Sequence, residues 1–332
     1  MPQANPLISI IVPSFNQGSF IEDTLLSIAA QSYKNYEIIV IDGGSADDSV
    51  NVIRKHADKI SYWVSEKDGG QSAAINKGLK VAKGEIVTWL NSDDYYEPGT
   101  LTTVIQLFDS DPLIGFVHGR ARLFGEKTKD KIIGPDKDLL PHEYLPYMRF
   151  PQPSSFFRKN FLGAGTLLNE QLHYAMDFEL VARAVLGGAV AKRTNAVLSH
   201  YRLHAQSKTT GQTGFAEEWS TVLSGIFSSL ENGASYAVKM EALALDQKAI
   251  QLAPFEKKLT LSDQELEWIF LEHLHLRYHA FYRSFNTAAC LRVSLFLKEN
   301  YNSFYLKNKY YKYNFRLKFI PRFIFEMVRR RG

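Results

Sequence analysis

Within the first hundred residues, four short apolar runs rich in β-branched side chains (7–12, 36–41, 60–65 and 85–90) each run into a loop that holds Asn or Asp. The loops read Pro13-Ser14-Phe15-Asn16, Asp42-Gly43-Gly44-Ser45, Asp68-Gly69-Gly70 and Asn91-Ser92-Asp93-Asp94. Helical faces at three- and four-residue spacing lie between them, such as Ile21, Leu25, Ile28 and Ala29, or Ile75, Leu79 and Ala82. This alternation predicts repeated βα units of a mostly parallel sheet. Ligands of open α/β sheets bind beyond the carboxyl ends of the strands, so the polar loop residues converge on one edge. Ser45, with Asp48 three residues on, predicts a helix start of capping-box type.

From residue 115 to 202 the pattern changes to shorter mixed segments, with strand-like 116–118 and 155–157 and a helix over 178–186. Beyond residue 213 the reading is mostly helical, and 266–282 is the longest candidate. The expected organisation is an α/β domain over 1–212, a helical region over 213–303 and a basic, aromatic tail over 304–332. A chain of 332 residues, 45% hydrophobic, can bury one large core and a smaller second one.

A single cysteine, Cys290, excludes an internal disulfide framework, and no Cys/His spacing resembles a zinc site. The first residues lack the basic and apolar regions of a secretory signal, and no run reaches the ~18 apolar residues of a spanning helix. These features predict a cytoplasmic protein, soluble or peripheral on the inner face of the cytoplasmic membrane.

The ordered set of motifs resembles inverting glycosyltransferase family 2, whose members have the GT-A fold, a Rossmann-like mixed, mostly parallel sheet flanked by helices. The resemblance rests on 8–12 with Pro13-Ser14-Phe15-Asn16, on 38–41 with Asp42-Gly43, on Ala74-Ile75-Asn76-Lys77-Gly78 and Lys83-Gly84-Glu85, and on Asn91-Ser92-Asp93-Asp94. It covers residues 1 to 210. Two positions depart from the family pattern. Asn91 stands where an acid usually opens the Asp-x-Asp motif, and Met176-Asp177 stands where Glu-Asp is usual.

The resemblance implies a nucleotide-sugar donor and a divalent cation, Mn2+ or Mg2+. Negative charge develops on the leaving diphosphate, and a hard cation held by one or two carboxylates stabilises it. Asp93 is the implied metal ligand, ahead of Asp94, with Asn91 and Ser92 beside it on the donor side; the bland alternative is that Asp93-Asp94 only ends a strand and caps a helix. Asp42 and Asp68 end or follow strands, where an acceptor-only carboxylate suits a nucleobase or ribose hydroxyl, although Asp-Gly is also a favoured turn pair. By resemblance both line the nucleoside pocket, Pro13 and Asn16 form its wall, and the segment with Asn76 and Lys77 approaches the donor. A Lys on a bare helix is otherwise a solvated face.

The acceptor hydroxyl must lose a proton, and Asp177 fits a general base; partial burial beside Tyr174 and Phe178 would raise its basicity. The competing role for Asp177 is a helix N-cap. The segment Arg202-Leu203-His204-Ala205-Gln206-Ser207-Lys208 resembles the one that closes the catalytic domain in relatives, where His supplies a metal ligand. His204 is therefore the second implied ligand, with His200 the alternative. Gln152 and Ser154 fall on the acceptor side by resemblance.

From Phe304 to Gly332 nine Lys and Arg face one acid, Glu326, which leaves the rest of the chain mildly acidic. Phe315, Phe319, Ile320, Phe323, Ile324 and Met327 could form one apolar face about Pro321. A basic amphipathic helix of this kind suits an anionic membrane surface, and with it a lipid-linked acceptor. Nucleic-acid binding is not expected, since no matching basic signal occurs in the body. The expected activity is transfer of one sugar per encounter to a saccharide or lipid-linked acceptor. A processive synthase is disfavoured, lacking membrane spans and Gln-x-x-Arg-Trp. The alternatives are a non-catalytic nucleotide-sugar binding or scaffold protein, and a sugar nucleotidyltransferase, which would want a Gly-rich basic loop after the first strand.

Overall fold

The computed structural model describes residues 5–126, 128–162, 168–209, 214–245, 250–252, 254–255 and 257–319. The chain divides into two compact units, Met1–Gln212 with Ile250–Thr260, and Thr213–Ala249 with Leu261–Gly332. The first contains every described strand: β1 (Ile8–Ser14), β2 (Tyr36–Asp42), β3 (Tyr62–Ser65), β4 (Ile86–Trp89), β5 (Tyr95–Tyr96), β6 (Ile114–Phe124), β7 (Lys131–Ile133), β8 (Ser155–Arg158) and β9 (Val190–Arg202). They form one mixed sheet in the order β3-β2-β1-β4-β8-β6-β9-β5, with β7 on β6. The expected α/β class of the GT-A type is what the structure has.

The four strands read from the sequence make the parallel half, with Ile10 opposite Ile38 and Thr88 across the central β1. All seven residues of β1 are buried, because helices cover both faces and no polar alternation is needed. Ile8, Ile10 and Val12 pack with residues of α1 (Ile21–Ala29), α2 (Ser49–Lys55) and α4 (Thr100–Ser110). Ile11 meets α3 (Gln71–Val81) on the other face. The contact is so close that a Cβ on Gly78 would lie 2.5 Å from Ile11 Cγ2. A fifth helix, α5 (Met176–Leu186), completes the unit.

One local expectation is corrected. Ser45 does not cap α2: its hydroxyl donates to Asp42 Oδ1 at 2.5 Å. Asp48 holds the N-cap position without a side-chain capping bond, and the preceding Asp47 accepts from Ser49 N at 3.0 Å. The buried Asp42 carboxylate has the stronger claim on the Ser45 hydroxyl, because a charged acceptor without donors is costly.

The second unit is helical: α6 (Gly214–Ser229), α7 (Ala234–Ala242), α8 (Asp263–Arg283), α9 (Thr287–Asn300), α10 (Asn302–Lys307) and α11 (Tyr310–Phe319). Ser262 and Glu265 close a capping box at the start of α8. Phe227, Phe270, Leu274, Tyr278 and Val293 are fully buried in this unit, as is Tyr310 of α11. Tyr310 is tied to His275 at 2.8 Å, and the Tyr278 hydroxyl donates to Asn314 at 2.7 Å. The first part of the basic tail is therefore built into the helical unit. Ile320, Pro321, Phe323, Ile324 and Met327 lie outside the described residues. Among the described residues no helix is long and apolar enough to cross a membrane.

Candidate active site

Parallel strands of unequal length bring the ends of β1, β2 and β3 together. Asp42, fully buried, closes β2 and accepts from Gly44 N at 3.1 Å, Ser45 N at 2.9 Å and Ser65 Oγ at 2.7 Å. Its hydrogen-bonding capacity is spent on the strand-end loops, so it shapes the wall. Asn16, with φ +53°, ties the β1 loop to the same place: Ser45 Oγ accepts from its amide at 2.8 Å, and its Oδ1 accepts from Ala46 N at 2.9 Å. Pro13 is buried opposite Ile41 in the β1–β2 register. Asp68 lies over Gly43, where a Cβ would come within 3.2 Å of both carboxylate oxygens.

The loop after β4 carries the strongest electrostatic feature. Asp93 Oδ2 and His204 Nε2 are 3.0 Å apart, with the two side chains 17% and 10% exposed. Asp94 is fully buried, and its Oδ1 accepts from Arg202 N at 2.9 Å. Its Oδ2 has no partner among the described residues. Burial, and then the neighbouring charge of Asp93, push the Asp94 carboxyl well above the usual carboxylate range. Ser92 is buried beside it. Asn91 Oδ1 accepts from Gln71 Nε2 at 2.7 Å, and Gln71 Oε1 in turn accepts from Lys208 Nζ at 2.7 Å.

This donor set suits a divalent ion. One carboxylate and one imidazole, with donor atoms 3.0 Å apart, have the spacing of neighbouring octahedral ligands at metal distances of about 2.1 Å. Among the described residues no group of three or more His, Cys, Asp or Glu side chains converges to hold a metal. A cation here would draw its remaining ligands from a diphosphate and water.

Asp177 is half-buried in the first turn of α5, where its Oδ1 accepts from Phe178 N at 2.7 Å. Ala175 occupies the N-cap position, so Asp177 does not cap the helix. Tyr201 relates it to the β4 loop. Burial pushes the Tyr201 phenol up, and the charges of Asp94, Asp93 and Asp177 add to the effect. Asp93, Asp94 and Asp177 therefore all lie close enough to the Tyr201 phenol for their charges to act on it.

Other expected site residues face the protein itself. Asn76, 2% exposed, holds the 168–170 segment: its Nδ2 donates to Leu168 O at 2.9 Å and Glu170 Oε1 at 2.8 Å, and its Oδ1 accepts from Leu168 N at 2.7 Å. Lys77 pairs with Glu66. Gln152 donates to Trp89 O at 2.9 Å, while Ser154 is fully buried against Ser199 and Arg120 O. Gln71 and Tyr201 were not singled out from the sequence. No spacing marks them, since their partners are brought in by tertiary folding.

The model of glycosyl transferase family 2 matches residues 9–176. An uncharacterized glycosyltransferase of Rickettsia typhi is 29% identical over 248 residues, 71% of this chain and 76% of its own length. Another, from Rickettsia prowazekii, is 27% identical over 282 residues, 79% of this chain and 86% of its own. The fold is similar to that of Staphylococcus aureus TarS in complex with UDP-GlcNAc, with TM-score 0.60 and 19% identity over 94% of this chain and 91% of that one. It is also similar to the mannosyltransferase PcManGT of Pyrobaculum calidifontis in complex with GDP-Man and Mn2+, with TM-score 0.53 and 19% identity over 96% and 87%. The family model runs from β1 to the first residue of α5, and so takes in the loops after β1, β2 and β3 and the Asp93 loop. By that match, the chain belongs to glycosyl transferase family 2.

Proposed function

We propose that the protein transfers a single sugar from a nucleotide-diphosphate sugar to a hydroxyl of a saccharide or lipid-linked acceptor, inverting the anomeric configuration. The observation that carries this reading is the Asp93–His204 contact at 3.0 Å, with Asp93 and Asp177 both near enough to the Tyr201 phenol to act on it. The UDP-GlcNAc complex of TarS and the GDP-Man and Mn2+ complex of PcManGT support the donor class and the metal.

Asp93 and His204 would hold Mn2+ or Mg2+, which when bound supplies Lewis-acid stabilisation of the leaving diphosphate. Asp42, Asn16 and Pro13 set the wall that receives the nucleoside, and Asp68 lies at its rim. Asp177 accepts the acceptor hydroxyl proton as that oxygen attacks the anomeric carbon opposite the diphosphate. The new glycosidic C–O bond forms as the bond to the diphosphate oxygen breaks. No covalent enzyme intermediate is needed, so the configuration inverts once.

The exposed face of α11 supports a peripheral site on the cytoplasmic membrane. Tyr311, Phe315 and Phe319 are 46%, 62% and 59% exposed at four-residue spacing, beside exposed Lys312, Arg316 and Lys318. This pairing of aromatic and cationic side chains suits anionic lipid.

The test is a panel of nucleotide sugars incubated with purified full chain and Mn2+ or Mg2+, read as metal-dependent binding and slow donor hydrolysis. Response to one donor class, lost with chelator, is expected. Silence across the panel would favour a scaffold protein.

A further inference from the structure

We propose that Arg202 is a positioning residue of the Asp93–His204 pair, and that its guanidinium serves the protein rather than the diphosphate. The inference rests on the metal reading of the pair given above. Arg202 ends β9, and three hydrogen bonds hold it to the β4 loop and to α1. Its Nε donates to the Asp93 carbonyl at 3.0 Å, its amide donates to Asp94 Oδ1 at 2.9 Å, and its Nη2 donates to Asp23 Oδ2 at 2.7 Å. Its own carbonyl accepts from Ser207 Oγ at 3.4 Å, and the same Ser207 Oγ accepts from His204 N at 2.9 Å.

An aromatic cage fixes the guanidinium plane. Cζ lies 4.8 Å from the Phe20 ring centroid, 5.0 Å from Phe124 and 5.8 Å from Tyr95. Phe20 also meets the His204 imidazole, with ring centroids 4.7 Å apart. One ring therefore touches both the arginine and the second member of the pair. The side chain is 18% exposed, and its planar fork is committed to Asp93 O and Asp23. A lysine could keep the charge but not this fork together with the ring contacts. The consequence is division of labour: Asp93 and His204 present donor atoms, and Arg202 sets where those atoms stand. Partners of this kind orient metal ligands, and losing one typically costs about ten- to a hundredfold in metal affinity or activity.

The experiment compares full-length wild type with Arg202→Met, Arg202→Lys and Phe20→Leu by titrating Mn2+ with EPR detection in the presence of UDP or GDP. Hydrogen exchange of the metal-free proteins is measured alongside. A loss of Mn2+ affinity of about tenfold or more is expected in Arg202→Met, with partial recovery in Arg202→Lys and a smaller loss in Phe20→Leu. The 202–207 amides should exchange faster in Arg202→Met while β1 and β2 remain protected. Where a donor is found, kcat should fall more than donor KM changes. Mn2+ affinity unchanged in both Arg202→Met and Phe20→Leu overturns the positioning role and leaves the metal reading intact. Absence of Mn2+ binding in wild type overturns both. If Arg202→Met does not fold, Arg202→Lys and Phe20→Leu decide the matter on the same readouts.

Discussion

Asp93 Oδ2 and His204 Nε2 lie 3.0 Å apart although 111 residues separate them along the chain. The β5–β9 pairing creates this contact, because Tyr95 stands opposite His200 and brings the end of β9 beside the loop after β4. If the two side chains serve one cation, their removal should not be additive. Asp93→Ala and His204→Ala are each expected to lower kcat about a hundredfold, and the double variant little further. Initial rates at saturating metal check this. Independent, multiplying losses would show that the two act on different steps.

Asp177 acts on the same Tyr201 phenol as Asp93 without belonging to the pair. Asp177→Asn keeps the shape and removes proton acceptance, so kcat for transfer should drop about 10²- to 10⁴-fold while donor affinity stays within about threefold of wild type. Isothermal titration with the unreacted nucleotide diphosphate separates the two effects. A variant that lost donor binding in parallel with turnover would place Asp177 on the donor side.

The polar strand ends of the candidate site were legible because each follows an apolar run within a few residues. That is local information, and it located Asp42, Asp68 and Asp93. What could not be read was how side chains spend their hydrogen bonds. Asn76 sits in a motif beside Lys77, yet its amide holds Leu168 and Glu170, ninety-two and ninety-four residues away. Arg202 was visible only as one member of the 202–208 segment, with nothing to set it apart from its neighbours. Its cage draws Phe20, Tyr95 and Phe124 from three separate elements, and no periodicity encodes that. In the tail, an alternating aromatic and basic pattern likewise does not reveal that Tyr305 and Tyr310 are core residues of the helical unit.

Gly78 offers a test of the scaffold apart from the chemistry. Its missing side chain lets α3 lie against β1, and a Cβ would meet Ile11 Cγ2 at 2.5 Å and Cγ1 at 2.9 Å. Helix propensity alone would favour alanine, but overpacking should win. Gly78→Ala is expected to destabilise the protein by about 1–3 kcal/mol. Urea unfolding measures it, and a gain in stability would mean that the helix and strand separate freely.

His118 predicts a pH dependence with a definite sign. It is fully buried on β6, stacked on Phe150 at 4.3 Å and bonded to the Tyr144 hydroxyl at 2.9 Å. Burial, and then the charge of Arg193, push its pKa down to about 3 from an ordinary 6.5. Between those values the unfolded chain takes up a proton that the folded one refuses, so stability falls as pH falls through this window. From pH 7 to pH 5 the loss from this group alone is about 2 kcal/mol. His118→Phe should flatten that part of the curve, even if it costs stability at pH 7. Equal slopes in wild type and variant would assign the dependence elsewhere.

Membrane attachment can be tested without dismantling the fold. Truncation after residue 302 would remove Tyr305 and Tyr310, which are buried, so weaker flotation of that fragment would mix unfolding with loss of a lipid contact. Serine at Tyr311, Phe315 and Phe319 instead alters only side chains that are 46%, 62% and 59% exposed, and leaves the Tyr278–Asn314 bond in place. The full chain should float with vesicles containing phosphatidylglycerol and not with neutral phosphatidylcholine. The triple substitution should lower that binding about tenfold or more, since each aromatic ring buries apolar area at the interface. Raising salt should weaken the remainder, because each Lys or Arg near the surface contributes about 1 kcal/mol that salt screens. Equal flotation of the wild type and the triple variant would move the attachment away from α11.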